Sequence, residues 1–179
     1  MPSPIAHLTA GYIAYGVARL TRPQEKTETR HTAREVLFTS VAFSNLPDID
    51  SIAGIVVGDF GRFHNNFTHS ILVGAGISVA FAGVMAWRRH GFVFWLLLAA
   101  ACYSLHVLMD AATLGRGVMA LWPITGNRFQ VPVPLFYGFH WSDGWVNPRH
   151  LWTLVTELTF AALTLGLWFF WSGRMRVRR

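Results

Sequence analysis

The sequence predicts an all-α, integral-membrane bundle of about five helices with one long outer loop. Three observations predict it. Of 179 residues, 53% are hydrophobic and only 13% charged, with a mean hydropathy of +0.36, a balance that belongs to membrane chains rather than soluble ones. Three apolar runs have the roughly 17 to 25 residues that cross a hydrocarbon core. Lysine and arginine crowd into alternate connections between the apolar runs, the pattern that orients spanning helices. The length suits one domain, residues 1–179, and no repeat divides it.

The elements follow in order. Residues 5–20 predict a first helix, interrupted by His7, Thr9 and two tyrosines; with no basic segment before it, it reads as a retained helix rather than a cleaved signal. Residues 36–46 would reach about 17 Å at 1.5 Å per residue. That helix either stops inside the bilayer or continues past Pro47 as a second piece to residue 57. Residues 70–87, 92–109 and 151–171 are the three full-length spans. Between the last two lies the longest connection, residues 111–150, containing "LWPITGNRFQVPVPLFYGFHWSDGW". Forty residues without periodicity predict a lid or short strands lying on the membrane, and the Trp and Tyr suit its interface.

Charge fixes the orientation. With the N-terminus outside, Arg19, Arg22, Lys26, Arg30 and Arg34 fall in the first inner loop, Arg88 and Arg89 in the second, and Arg174, Arg176, Arg178 and Arg179 in the tail. That is eleven of the fifteen Lys and Arg; Arg62, Arg116, Arg128 and Arg149 are left outside. A net charge of +6 distributed beside apolar segments predicts a lipid bilayer as the partner and excludes nucleic acid. The single cysteine, Cys102, excludes an internal disulfide framework and a thiolate metal cluster.

Against this background the ionisable residues stand out. His7 opens helix one on the outer side; Asp48 and Asp50 follow helix two there; His64 and His69 precede helix three; His106 and Asp110, four apart and so on one helix face, end helix four. Seven candidate ligands converge on one end of the bundle, and ionisable groups at membrane depth are usually functional. Imidazole and carboxylate without thiolate suit a divalent metal, zinc first, with manganese or iron as alternatives. Each piece also has a second reading. Asp48 and Asp50 would favour the positive end of a helix opened by Pro47, near Ser44 or Asn45; Thr68 would cap helix three; His106 and Asp110 would form an interhelical hydrogen bond. His140 and His150 lie on the same side without recognisable spacing, and His31 and His90 on the other. Glu157 enters the last helix about two turns below its outer end, as a metal ligand, a partner to a ligand, or a general base.

In this order, an early histidine (His7), "LPDID", "FHNNFTHS", "HVLMDAATLG" and the following "LWP" resemble the YdjM-like family of predicted membrane-bound metal-dependent hydrolases. The resemblance covers residues 7 to about 132. Where family members read His-Arg-Gly-x-Thr-His-Ser, this chain has Asn65 and Asn66, which removes an arginine suited to gripping phosphate. The family is distantly similar to zinc-dependent phospholipase C and the single-strand-specific zinc nucleases. That similarity implies one metal site from Asp50, His64, His106 and Asp110, and a second served by His7 and Asp110.

The expectation is therefore a metal-dependent hydrolase in a bacterial cytoplasmic (inner) membrane. Its site would face outward and act on a lipid or lipid-linked (phospho)ester, with Asp48 or Glu157 as base. The rivals are a metal-handling or transport protein, whose ligands would line a path across the bilayer, and a structural membrane protein, which would bind no metal.

Overall fold

The computed structural model describes residues 3–21, 33–88, 90–139 and 146–177. Every regular element among them is helical: α1 (Pro4–Thr21), α2 (Ala33–Phe43), the 3-10 turn η1 (Leu46–Ile49), α3 (Asp50–Val57), α4 (Phe60–Phe63), the 3-10 turn η2 (Phe67–His69), α5 (Ile71–Trp87), α6 (Phe92–Ala111) and α7 (His150–Val177). Arg22, Lys26, Arg30, His31, Arg89, His140, Arg178 and Arg179 lie outside the described residues.

Helix α6 is the centre. Its buried residues Trp95, Leu98, Ala99, Cys102, Tyr103, His106, Val107 and Asp110 recur three or four apart, so they form one stripe. Helices α1, α2 and α5 pack on α6, and Phe43 and Ala82 join its stripe in the core. The stripe runs from Trp95 for about three turns before it reaches His106 and Asp110, which carries two ionisable side chains into the same buried face. Close approach at two points depends on glycine. A Cβ on Gly74 of α5 would stand 2.2 Å from the Tyr103 ring, and one on Gly11 of α1 would stand 3.0 Å from Ser44 Oγ.

Helices α6 and α7 are long and apolar enough to cross a membrane, and α5 is a shorter apolar helix. Helix α7 packs on α1 yet leaves Leu151, Val155, Leu158, Leu163 and Leu167 exposed, a run of apolar surface that water would penalise and lipid would cover. Helix α2 stops at Phe43, and the chain turns through η1, with Pro47 in its first turn, before α3 begins at Asp50. The chain therefore takes the second alternative: it continues past Pro47 as a separate helical piece that ends at Val57, with the proline-containing turn between the two and Gly58, left-handed at φ 72°, closing the second.

The segment after α6 forms no strands among the described residues. It holds two isolated bridges, Thr113 with Phe136 and Val118 with Phe129. It docks on the start of α5, where Ile71 N donates to Ala120 O at 3.0 Å and Ser70 Oγ to Trp122 O at 2.6 Å. Of the lid or short strands expected of it, the strands are absent among the described residues: isolated backbone hydrogen bonds, turns and side-chain anchors hold it in place.

Candidate metal centre

The beginning of α1, the turn after α2, the turn before α5 and the end of α6 meet at one point. Asp110 Oδ2 lies 3.0 Å from His69 Nε2, 3.7 Å from His64 Nε2 and 3.9 Å from His106 Nε2, while its Oδ1 lies 3.3 Å from His7 Nε2. Asp48 Oδ1 lies 3.5 Å from Nε2 of both His69 and His106. The rings of His7 and His106 stack with centroids 3.8 Å apart. All these side chains are buried except that of Asp48, which is 15% exposed.

Five atoms, His7 Nε2, Asp48 Oδ1, His64 Nε2 and both oxygens of Asp110, are buried without a hydrogen bond of good geometry, their nearest polar neighbours being one another and the other members of the cluster. Each such orphan costs about 1–3 kcal/mol, more when charged. One cation satisfies several at once. Two overlapping groups have their donors within 4.8 Å of one another: Asp48, His64, His69 and Asp110, and His7, Asp48 and His106. Donors about 2.0–2.2 Å from a tetrahedral ion stand roughly 3.3–3.6 Å apart, close to the 3.0, 3.5 and 3.7 Å that separate His69 from Asp110, His69 from Asp48 and His64 from Asp110. The residues present fit a divalent metal.

Asp50 occupies a different place from its sequence neighbour. Its Oδ1 lies 3.1 Å from His64 Nδ1, and its Oδ2 3.3 Å from His69 Nδ1, on the ring edges turned away from Asp110. Thr68 Oγ1 donates to the same Oδ2 at 2.5 Å. Asp50 thus orients two imidazoles whose Nε2 atoms face the cluster, the carboxylate–histidine arrangement that fixes tautomers around metals. His106 is oriented by backbone: its Nδ1 donates to Ser44 O at 2.8 Å, which turns Nε2 toward Asp48. The ligand set implied by resemblance is therefore redistributed, with Asp48 and His69 among the converging donors and Asp50 behind them.

Electrostatics follow this geometry. Burial works to raise the Asp50 pKa, but hydrogen bonds from His64 and His69 outweigh it and hold the group at about 2. Burial likewise opposes ionisation of Asp48, and His106 and His69 hold it well below the ordinary carboxylate value. Burial favours the neutral form of His69, yet Asp110, Asp48 and Asp50 together raise its pKa well above the ordinary imidazole value.

Glu157 does not join the converging donors. Its carboxylate accepts from Ser3 N at 2.5 Å, from the Ser3 hydroxyl, and from Ala6 N at 3.4 Å, so it anchors the start of α1, one residue before His7. Of the three roles expected of Glu157, these bonds to the start of α1 match that of a partner to a ligand, because donors at the helix N-terminus occupy its oxygens. The reading of Thr68 as a cap is corrected. Ser70 is the residue that caps α5, accepting from Leu72 N at 3.1 Å and Val73 N at 3.4 Å, which leaves the Thr68 hydroxyl to Asp50. His150 begins α7 against the Phe139 ring, apart from the cluster.

Sequence reasoning passed over Arg116 and Arg128. Arg116 donates to His64 O, and Arg128 to Asn65 O at 3.0 Å and Asn66 Oδ1 at 2.5 Å. Their signal was present in the sequence, as arginines that the charge bias left on the side opposite to most Lys and Arg.

The fold and site define an all-helical protein with membrane-length helices and a cysteine-free His/Asp cluster able to hold a metal ion. The chain belongs to the YdjM inner membrane protein family, whose sequence profile matches residues 1–177. It is similar to inner membrane protein YbcI of Escherichia coli (strain K12), 35% identical over 105 residues, covering 54% of this chain and 58% of that one. The alignment thus spans a little over half of that relative's length. No solved structure matches the chain.

Proposed function

We propose that this inner membrane protein is a metal-dependent hydrolase of a lipid or lipid-linked ester, a phosphoester by preference, with its site at the outer face of a five-crossing bundle. The observation that carries the reading is the set of orphaned imidazole and carboxylate atoms converging at one end of the helices. A transport path would instead distribute ligands along the bilayer normal. A purely structural network would satisfy its polar atoms internally.

Zinc is the ion that best suits this donor set. When bound, a divalent ion supplies Lewis acidity and lowers the pKa of water toward neutrality. The chain supplies the rest. His64, His69 and Asp110 hold one side of the cluster, His7 and His106 the other, and Asp48 belongs to both groups. Asp48 is also the most exposed member, so it is the carboxylate placed to accept a proton from an attacking water. Asp50, Thr68 and the Ser44 carbonyl keep the imidazoles in register, and Glu157 positions His7 through α1.

A cavity of about 510 Å³ between α1, α6 and α7 supports a lipid substrate. Its lining is apolar apart from Thr21 and Thr164, whose hydroxyls are donated to Val17 O at 3.0 Å and Phe160 O at 2.7 Å. Only hydrocarbon gains by entering it. In the lining, Leu105 adjoins His106 and Ala10 lies three residues from His7, and from Ala10 to Thr21 the helix runs about 16 Å, roughly one leaflet of the hydrocarbon core.

The test is turnover by purified protein in mixed micelles, with phospholipids, glycolipids and isoprenoid phosphates offered separately and products followed by mass spectrometry. Hydrolysis of one class, lost on chelation and in Asp110→Ala, is the expected result. Full metal occupancy with no product from any class would sink the enzyme reading and favour metal handling.

A further inference from the structure

Three of the four arginines on the outer side border the loop that carries His64. Arg62 belongs to α4, which that loop ends. Arg116 and Arg128 arrive from the segment after α6, some fifty to sixty residues further along the chain. Their arrival has a local cause. Val118 and Phe129 exchange backbone hydrogen bonds of 3.0 and 2.8 Å, so the stretches containing residues 116 and 128 run side by side. Gly117, left-handed at φ 73°, permits this, since a Cβ there would stand 2.7 Å from Phe129 O.

Both guanidiniums then rest on the backbone of the ligand loop. Arg116 Nη2 donates to His64 O. Arg128 Nη1 donates to Asn65 O at 3.0 Å and Gly117 O at 3.1 Å, and its Nη2 to Asn66 Oδ1 at 2.5 Å. Asn65 accepts the left-handed conformation, φ 59°, that turns its carbonyl toward Arg128. Both arginines are solvent-accessible. Every acceptor of Arg128 among the described residues is neutral, and the bonds named use three of the five N–H donors of a guanidinium. Partial burial and the neighbouring Arg116 charge lower the Arg128 pKa; the two cations disfavour each other, and an anion between them would reverse the sign of that interaction.

We infer that Arg116 and Arg128 form an anion-binding rim beside the metal cluster, placed to take the phosphate oxygens of a substrate headgroup. His64 links the two sites physically: its carbonyl receives Arg116 and its Nε2 faces Asp110. A phosphate held by the rim would sit beside the backbone of a residue whose imidazole faces the metal donors. Planar guanidinium forks suit this task, since they bind phosphate oxygens through paired, charge-assisted hydrogen bonds. The rim also accounts for why these arginines sit on the outer side, against the inward charge bias. The inference deepens the hydrolase reading and rests on it for the word substrate. Its test reads binding, so the two can fail separately.

The metal-loaded full chain in phosphatidylcholine nanodiscs would be titrated with inorganic phosphate, and in a second arm with phosphatidic acid incorporated into the discs. Arg116→Gln/Arg128→Gln is expected to weaken both by about tenfold or more, the loss typical of hydrogen bonds to charged groups, while Arg149→Gln leaves them unchanged. Phosphatidic acid bound more tightly than free phosphate assigns the rim to a lipid headgroup; the reverse order overturns that assignment. Unchanged affinity in the double variant, with metal content and helicity intact, overturns the rim itself. Because both arginines also pin the loop, wild-type protein supplies a measurement independent of variant folding. Phosphate should slow modification of Arg116 and Arg128 by phenylglyoxal, mapped by mass spectrometry, and leave Arg149 unaffected; equal rates with and without phosphate likewise overturn the proposal.

Discussion

The carboxylate of Asp50 lies 3.1 Å from Nδ1 of His64, on the ring edge opposite the Nε2 that faces Asp110. This separates two aspartates that share the short motif "LPDID" into different tasks. Asp50→Asn should keep metal stoichiometry while weakening affinity by about 10- to 100-fold, the usual effect of losing a group that orients a ligand. Asp110→Asn, at the point where four imidazoles approach one carboxylate, should lose most bound metal. Elemental analysis with chelator competition reads both. Equal losses would place Asp50 among the ligands after all.

Glu157 and Ser3, 154 residues apart, are joined through both backbone and hydroxyl of Ser3. Removing the carboxylate strands the first N–H groups of α1 in a buried position, at a cost of about 1–3 kcal/mol per unpaired group. Glu157→Ala should therefore lower the melting temperature in detergent and reduce metal held by the His7 group, with Glu157→Gln milder because an amide oxygen still accepts. If Glu157 were instead a base, either variant would flatten the pH–rate profile while stability and metal content stayed as in the wild type.

Metal uptake near pH 7 should release protons. His69 has its pKa raised well above 6.5 by Asp110, Asp48 and Asp50, so the metal-free protein holds a proton there that a ligand must give up. The sign of the linkage follows. A raised imidazole pKa stabilises the metal-free fold fully below about 6.5, the unfolded value, and this contribution disappears as pH rises through the folded value. Asp50, held at about 2, works in the opposite sense: its stabilisation is present above the unfolded carboxyl value and is lost as pH falls toward 2. Calorimetric titration in buffers of different ionisation enthalpy should count about one proton released per chain at neutral pH. No release would mean that His69 is neutral before the metal arrives.

How much of this was legible follows from the physics of each residue. The convergence of His7, Asp48, His64, His69, His106 and Asp110 could be read because ionisable side chains in apolar surroundings are costly and therefore conspicuous. The helices could be read because hydropathy and length decide them, and α5, α6 and α7 begin within a residue of the expected positions. Thr68 and Ser70 could not be separated, since both are hydroxyl residues at the same helix start and only the tertiary position of Asp50 decides which one caps. The partners of Glu157 and of Arg128 lie too far along the chain for any local pattern to join them. The break at Pro47 was foreseen as a choice, and packing of η1 against η2 and α6 settles it.

The orientation of the bundle makes the last prediction. Because the start of α1, the end of α6 and the turns flanking α3 and α4 all reach one cluster, the other ends of these helices, near Arg19, Arg34 and Arg88, must lie at the opposite side. The Lys and Arg bias predicts that this opposite side faces inward, which would put the cluster and the segment after α6 outside. In a Cys102→Ser background, chosen because the native thiol is buried in α6, a cysteine at Asn127 should label from outside intact cells with a membrane-impermeant maleimide. A cysteine at Arg176 should label only after the membrane is opened. The reverse pattern would turn the whole bundle over and, with it, move the site to the cytoplasmic leaflet, where the proposed hydrolysis would have to draw on a different pool of lipid.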